Sequence, residues 1–292
     1  MDIRVLRYFL ALANTETISS AAEFLHTTQP NVSRQLSELE KEVGRQLFIR
    51  GSRKITLTEE GMFLRKRAQE IVDLLDKTEQ EFSSFDDTLG GDVYIGGGES
   101  NTMRTIAKTI KSLQTDHPQI RYHLLSGYAY DIMEYLDKGL LDFGVLFEPV
   151  DLKKYDHIRL PLNDTWGLLM RKDHPLACYS SIQPQQLENL PLLCSNQMLK
   201  ENGLSGWLGY DCKKLNVVAT FNLINTPALL VEEGVGCAFS FENLINLSGD
   251  SNLCFRPLSP RLTSGVYVVW KKYQVFSKAA KKFLEFLQEE LT

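Results

Sequence analysis

The side chains best suited to chemistry in this 292-residue chain lie near its start. Thr28-Gln29-Pro30 opens a polar run that continues through Ser33, Arg34 and Ser37. A glutamine amide pairs with an adenine edge, and an arginine guanidinium forks onto guanine or holds a phosphate. Ser33 and Ser37 are small enough to let a helix approach a duplex closely. Thr28 and the free N–H groups of a first helical turn suit a phosphate oxygen. Around Gly51, the cations Arg50, Arg53 and Lys54 place positive charge at a turn, where it would meet a DNA backbone or minor groove. Taken singly, each of these is an ordinary solvated side chain. Their order gives them weight.

The elements that must carry these residues follow from hydrophobic spacing. A first helix is expected over Ile3–Ala13, with Val5, Phe9, Leu12 and Ala13 on one face. A brief second helix is expected over Ser20–Leu25. Ser19 or Ser20 would cap it, Ser20 and Glu23 having capping-box spacing, and Ala21, Ala22 and Leu25 would face inward. Both serines join the expected DNA-facing set. A third helix spans Gln29–Val43, because Pro30 is well tolerated in a first turn and Val32, Leu36, Leu39 and Val43 form one stripe. Gly44 ends it. Two β-prone runs, Gln46–Arg50 and Lys54–Leu57, then read as a hairpin. This is a helix-turn-helix followed by a basic hairpin. Residues 58–88 read as one long helix in which Leu64, Ala68, Ile71, Leu75, Thr78, Phe82 and Phe85 alternate at spacings of four and three. That heptad seam asks for a partner helix, so the expectation is a dimer.

Composition is that of a globular protein, with 43% apolar and 24% charged residues. The net charge of −5 hides an asymmetry: residues 1–58 carry +2, residues 59–90 carry −5 and the remainder −2. No apolar run reaches the roughly 20 residues of a membrane span. Asp2, Arg4 and Arg7 interrupt the N-terminal apolar patch and no A-x-A cleavage pattern follows, so a cytoplasmic location is expected. Cys178, Cys194, Cys212, Cys237 and Cys254 form no C-x-x-C pair, which argues against a disulfide scaffold or a zinc site. The five histidines form no H-E-x-x-H, and no G-x-S-x-G occurs, so catalysis is not expected.

The segment TISSAAEFLHTTQPNVSRQLSELEKEVGRQLFIRGSRKITLTEEG resembles the DNA-binding head of LysR-type transcriptional regulators. The marks are Ala21-Ala22, Gln29-Pro30, Ser33-Arg34-Gln35, Leu39-Glu40, Gly44 with Leu47-Phe48, and Leu57-Thr58 with Gly61. Asn31 and Glu60 stand where that family often has alanine, and Asn31 would add a base or phosphate contact of its own. The resemblance implies a winged helix-turn-helix head at 1–58, a linker helix at 59–89 with Leu64, Ala68, Ile71, Leu75 and Phe82 as its dimer seam, and an effector domain at 90–292. It implies two α/β lobes similar to a type 2 periplasmic binding protein, lobe I at about 91–161 and 266–292 and lobe II at about 162–265. It further implies an interrupted inverted repeat of double-stranded DNA as partner, a homodimer assembling to a homotetramer, contact with RNA polymerase, a small-molecule effector and no cofactor, metal or membrane.

Strand and helix patterns do alternate after Gly90-Gly91, arguing independently for an α/β fold with mainly parallel strands. The expected strands include Val93–Ile95, His157–Leu160 and Thr165–Met170, the last two separate. Gly96-Gly97-Gly98 lacks the third glycine of a dinucleotide fingerprint, since Asn101 stands there. Ser100, Asn101 and Thr102, at a strand-to-helix junction, are the first candidate ligand contacts. Ser126, Gly127, Phe147 and Asn196, at other strand ends, are the second. An alternative reading is a thiol redox regulator using Cys194 and Cys212, as in peroxide-sensing members of the family.

Overall fold

The computed structural model describes residues 1–51, 54–83, 90–200 and 204–291. They fall into two compact units, Met1–Ser83 and Ser84–Thr292.

The first unit is built on α1 (Ile3–Thr15), α2 (Ile18–Phe24) and α3 (Gln29–Val43), then the antiparallel pair β1 (Phe48–Arg50) and β2 (Ile55–Leu57), then α4 (Glu59–Ser83). Phe9, Leu12, Ala21, Val32, Leu36 and Leu39 meet in one core, with Leu47 and Phe48 closing it beneath the hairpin. The second helix starts two residues earlier than the serines suggest. Thr17 caps it, accepting from the Ser20 N–H at 3.1 Å, because Ile18 is itself buried and joins Ala21 and Ala22 inside. Ala13 and Leu25 are only half-buried. On α3 the stripe stops at Leu39. Val43 is 41% exposed, since the last turn overruns the core before Gly44 takes the left-handed conformation at φ 69°.

Two motif residues acquire a physical reason. The Glu40 carboxylate accepts from the Leu47 N–H at 2.8 Å and the Phe48 N–H at 3.4 Å, satisfying donors where the chain turns into β1. Thr58 Oγ1 accepts from the Gly61 N–H at 3.0 Å and donates to the Gln46 carbonyl at 2.8 Å, fixing the start of α4 against the same turn.

The second unit holds β3 (Gly91–Gly97), α5 (Met103–Asp116), β4 (Ile120–Ser126), α6 (Ala129–Asp137), β5 (Phe143–Phe147) and β6 (Tyr155–Arg171). There follow β7 (Leu192–Ser195), α7 (Asn196–Lys200), α8 (Ser205–Leu208), β8 (Val217–Phe221), α9 (Asn225–Glu232), β9 (Cys237–Phe241), β10 (Leu253–Pro257), β11 (Thr263–Lys271) and α10 (Lys278–Glu290). The strand order is β4-β3-β5-β11-β6-β9-β7-β8, with β10 also on β6. The sheet is mixed rather than mainly parallel. β3 pairs in parallel with β4 and β5, and β7 with β8 and β9, whereas β6, β10 and β11 run antiparallel to their neighbours.

Two lobes share this sheet. In the first, α5 and α10 cover one face around Phe143 and Phe283, and α6 covers the other around Ile132 and Leu136. In the second, cores around Leu168, Cys194 and Phe239 and around Leu169, Val231 and Ala238 lie on the two faces. The expected pair of short strands before and after Pro161 is one 17-residue strand, β6. It pairs with β11 through Thr165 and with β9 from Trp166 onward, so it passes from one lobe to the other. Pro161 is tolerated because it sits in the register shift of the β6–β11 ladder between Gly265 and Tyr267, where no donor is required of it.

Candidate functional site

On α3 the buried row Val32, Leu36 and Leu39 forces the opposite face outward. Thr28, Gln29, Pro30 and Arg34 are exposed there, as are Ser19 and Ser20 on α2 and Arg50 on β1. The N-terminal turn of α3 has no side-chain cap from Thr28, which leaves its N–H groups available to an anion. Arg50 reaches across from the hairpin, its Nη2 donating to Ser33 Oγ at 3.2 Å while the guanidinium lies 5.9 Å from the centre of the Phe48 ring. That contact holds a cation beside the polar helix face.

Three candidates are differently placed. The Asn31 amide is turned into its own unit, donating to Thr27 Oγ1 at 3.1 Å and Tyr8 OH at 3.4 Å, so its polarity serves the turn between α2 and α3. Ser37 donates back to the Ser33 carbonyl at 2.9 Å. Lys54 is paired with Glu16. Arg53 lies outside the described residues.

The expected seam on α4 divides in two. Leu64 and Ala68 do not face outward; with Val72 they complete the core of the first unit, because a spacing of four keeps them on the side that meets α1. Ile71, Leu74 and Phe82 are exposed instead, together with Met62 and Phe63, and Leu75 is half-buried. Phe85 lies outside the described residues.

In the second unit a cavity of about 580 Å³ opens between the two lobes. Gly98, Glu99, Gly127, Tyr128, Phe147 and Glu148 line it from the first lobe, and Ser195, Gln197, Phe221, Asn222, Ser240 and Phe241 from the second. The crossover segment adds Trp166, Thr263, Ser264 and Tyr267. Hydrogen bonds span the gap. Glu99 accepts from the Ile224 N–H at 2.6 Å at the start of α9. Tyr128 OH donates to the Phe221 carbonyl at 2.9 Å, and the Gln197 amide oxygen accepts from the Ala129 N–H at 3.1 Å. The last two use the N-terminus of α6 and the carboxyl end of β8, so the lobes meet through otherwise unpaired backbone groups. Phe147 and Trp166 pack on Phe241 with ring centres 5.4 and 4.3 Å apart.

Of the expected ligand contacts, Gly127 and Phe147 line this cavity. Ser100 and Thr102 do not. Both hydroxyls donate to the Asp164 carboxylate, Thr102 at 3.1 Å, in a buried cluster where the first lobe meets β6. Burial pushes the Asp164 carboxyl above its usual range, against the hydrogen bonds from Ser100 and Thr102. Asn101 accepts from Arg104 Nε at 2.8 Å, Ser126 is exposed and not among the lining residues, and Asn196, also not among them, donates to the lining Tyr128 OH at 3.2 Å. Sequence reading missed Tyr128, Glu148, Trp166, Asn222 and Ser240. The rule that selected Ser126 and Phe147, the carboxyl ends of strands, would have found Asn222 and Ser240 had it been applied to β8 and β9.

These two arrangements, a helix-turn-helix with a polar third helix and an α/β unit with an interlobe cavity, match known proteins over nearly the whole chain. Residues 3–62 match the profile described as bacterial regulatory helix-turn-helix protein, lysR family, and residues 86–292 match the LysR substrate binding domain. The chain belongs to the LysR family. It is a LysR-type DNA-binding transcriptional regulator with an effector-binding domain, in a family of regulators rather than enzymes. It is 26% identical over 301 residues to YvbU, an HTH-type transcriptional regulator of Bacillus subtilis, covering 99% of this chain and 98% of that one. It is 27% identical over 298 residues to HcaR, the Hca operon transcriptional activator of Escherichia coli, covering 100% and 98%. CbnR, a LysR family transcriptional regulator, shares the fold at a TM-score of 0.78 over 100% of both chains, at 16% identity. CbnR complexed with its target DNA aligns at 0.75 over 99% of both, at 17% identity. Among the described residues no helix of this LysR-type regulator is long and apolar enough to cross a membrane.

The chain is also similar to a hydrogen peroxide-inducible genes activator of Pectobacterium carotovorum, 28% identical over 207 residues, 70% of this chain and 68% of that one. In the present regulator Cys194 and Cys212 are both buried, and burial pushes the Cys194 thiol up to about 12. Cys237 is likewise pushed up to about 12, and burial raises Cys254. Only the thiolate reacts quickly. A native-state titration with a chromogenic disulfide is therefore expected to consume one thiol of five rapidly, the exposed Cys178. Fast reaction of Cys194 or Cys212 would restore the redox reading.

Proposed function

We propose that this regulator reads DNA with the exposed first turns of α3, and that a small molecule held in the interlobe cavity sets its output. The head at 1–58 would read an interrupted inverted repeat, the linker at 59–89, which carries α4, would pair two chains, and the domain at 90–292 would take the effector. The observation carrying this is the two-sidedness of α3, with Val32, Leu36 and Leu39 buried and Thr28, Gln29, Pro30 and Arg34 exposed beside Arg50. A helix of this width fits the major groove, where such side chains meet base edges. Ser33, Ser37, Ser19 and Ser20 would contribute small hydroxyls, and Arg53 and Lys54 backbone contacts.

Arg34→Ala is expected to cost about 1–3 kcal/mol of specific binding and to relax preference at one base position. Fluorescence anisotropy on an operator located by genome-wide mapping measures it, and unchanged affinity and specificity would remove Arg34 from the interface.

Homodimerisation is supported by the exposed Phe63, Ile71 and Leu74 on α4, apolar side chains that a second copy of the helix would cover. Ile71→Glu is expected to lower the molar mass measured by light scattering at least about two-fold and to weaken operator binding more than about ten-fold, because two heads are then no longer held at a fixed spacing on the two half-sites. A mass unchanged by the substitution would place the interface elsewhere. Assembly into tetramers, contact with RNA polymerase and a cytoplasmic location complete the reading.

A further inference from the structure

The lining of the interlobe cavity has a charge preference of its own. None of its described residues is Lys, Arg or His, whereas Glu99 and Glu148 are both carboxylates. The deep wall is aromatic, with Phe239 and Phe241 buried and Trp166 packed on Phe241. Glu148 sits at the exposed rim, accepting from Tyr267 OH at 2.5 Å and the Gly265 N–H at 3.1 Å. Arg261 and Arg104 are engaged off the lining, donating to Thr165 Oγ1 at 3.0 Å and to Asn101. Arg159 donates to Asn163 at 3.2 Å and also bears on Glu148 and Tyr267, so it offsets part of the Glu148 charge at the rim and leaves Glu99 as the carboxylate with no cation beside it among the hydrogen bonds it makes. A carboxylate ligand entering here would meet two like charges and no cation among the described lining residues, an arrangement that costs more as water is excluded. A protonated amine would meet carboxylates at the mouth and aromatic faces within, where both terms are attractive.

We infer that the effector cavity is selective for an organic ammonium ion, a primary amine on an apolar body of one or two rings, with the rings directed to Phe239 and Phe241 and the ammonium to the rim. The volume of about 580 Å³ lies within the range of small-molecule sites and accommodates a body of that size. This rests on the reading of the cavity as the effector chamber.

Titration calorimetry on the full-length protein tests it with three probes of matched shape: 2-(1-naphthyl)ethylamine, 2-(1-naphthyl)ethanol and 1-naphthylacetate. The amine is expected to bind at least about ten-fold tighter than the acid, with the alcohol between them. Glu148→Gln and Glu99→Gln, each measured as the ratio of amine to acid affinity so that any change common to both probes cancels, should shrink that ratio at least about three-fold. Acid binding as tight as the amine, or amine binding undetectable at millimolar concentration, overturns the inference. Ser240→Trp, which fills the cavity, separates the two levels; Thr263→Trp on the exposed edge serves if that variant fails to fold. Amine binding that survives the filled cavity sinks the chamber itself. Binding abolished by filling, with the acid preferred in the unfilled protein, leaves the chamber standing and overturns only the charge preference.

Discussion

Gly61→Ala is expected to destabilise the first unit by about 3 kcal/mol and to abolish operator binding at physiological salt. A Cβ built at Gly61 would lie 1.9 Å from the Leu47 carbonyl oxygen and 3.3 Å from the Leu57 Cβ. The obstacle is backbone, so rotamer adjustment cannot relieve it. The same Leu47 oxygen accepts from the Thr58 N–H at 3.0 Å, and the Thr58 hydroxyl holds the Gln46 carbonyl, so pushing the turn away breaks the junction between hairpin and α4. Urea unfolding of the full-length protein followed by circular dichroism measures the loss, and an unshifted transition would contradict the close approach.

Leu36→Ala is the second large effect, at about 3 kcal/mol, and it has a built-in control. Leu36 is fully buried at the centre of α3 among Val32, Leu39 and the α1 and α2 side chains. Truncation leaves a cavity beneath the helix that carries Gln29 and Arg34. Val43 belongs to the same sequence stripe but is 41% exposed, and Val43→Ala should change stability by less than about 0.5 kcal/mol. Equal costs for the two would mean that α3 packs along its whole length, contrary to the structure.

The contrast between Leu36 and Val43 also shows what the sequence makes legible. The period of Val32, Leu36 and Leu39 identifies the helix and its inner face, and Pro30 and Gly44 mark its ends, so α3 is read to the residue. Spacing cannot say where the surrounding core stops, which is why Val43 is assigned inward and Leu64 and Ala68 outward. Their fate depends on where α1 lies against α4, a relation that no single helix encodes. Capping fails for a similar reason: Thr17, Ser19 and Ser20 are all chemically suited, and the burial of Ile18 selects among them.

In the second unit, residue type alone misleads at Ser100 and Thr102. Hydroxyls at a strand-to-helix junction look like ligand groups until Asp164, 62 residues beyond Thr102, arrives to take both. Gly127 and Phe147 reach the cavity because position in an α/β sheet, rather than polarity, put them there. Tyr128, Trp166 and Asn222 are contributed by three separate stretches of chain, and no local pattern unites them.

The uninterrupted course of β6 bears on how the two lobes could turn against each other. A ribbon of 17 residues serves both, tied by ladder bonds to β11 on one side of Pro161 and again from Asn163 onward, with the gap between them falling at the irregularity. Torsion applied to such a ribbon gathers where the rungs are missing. Any twist of one lobe against the other is therefore expected to be taken up between Pro161 and the change of partner at Trp166, and stiffening the Pro161–Leu162 bonds would resist it without touching the cavity lining.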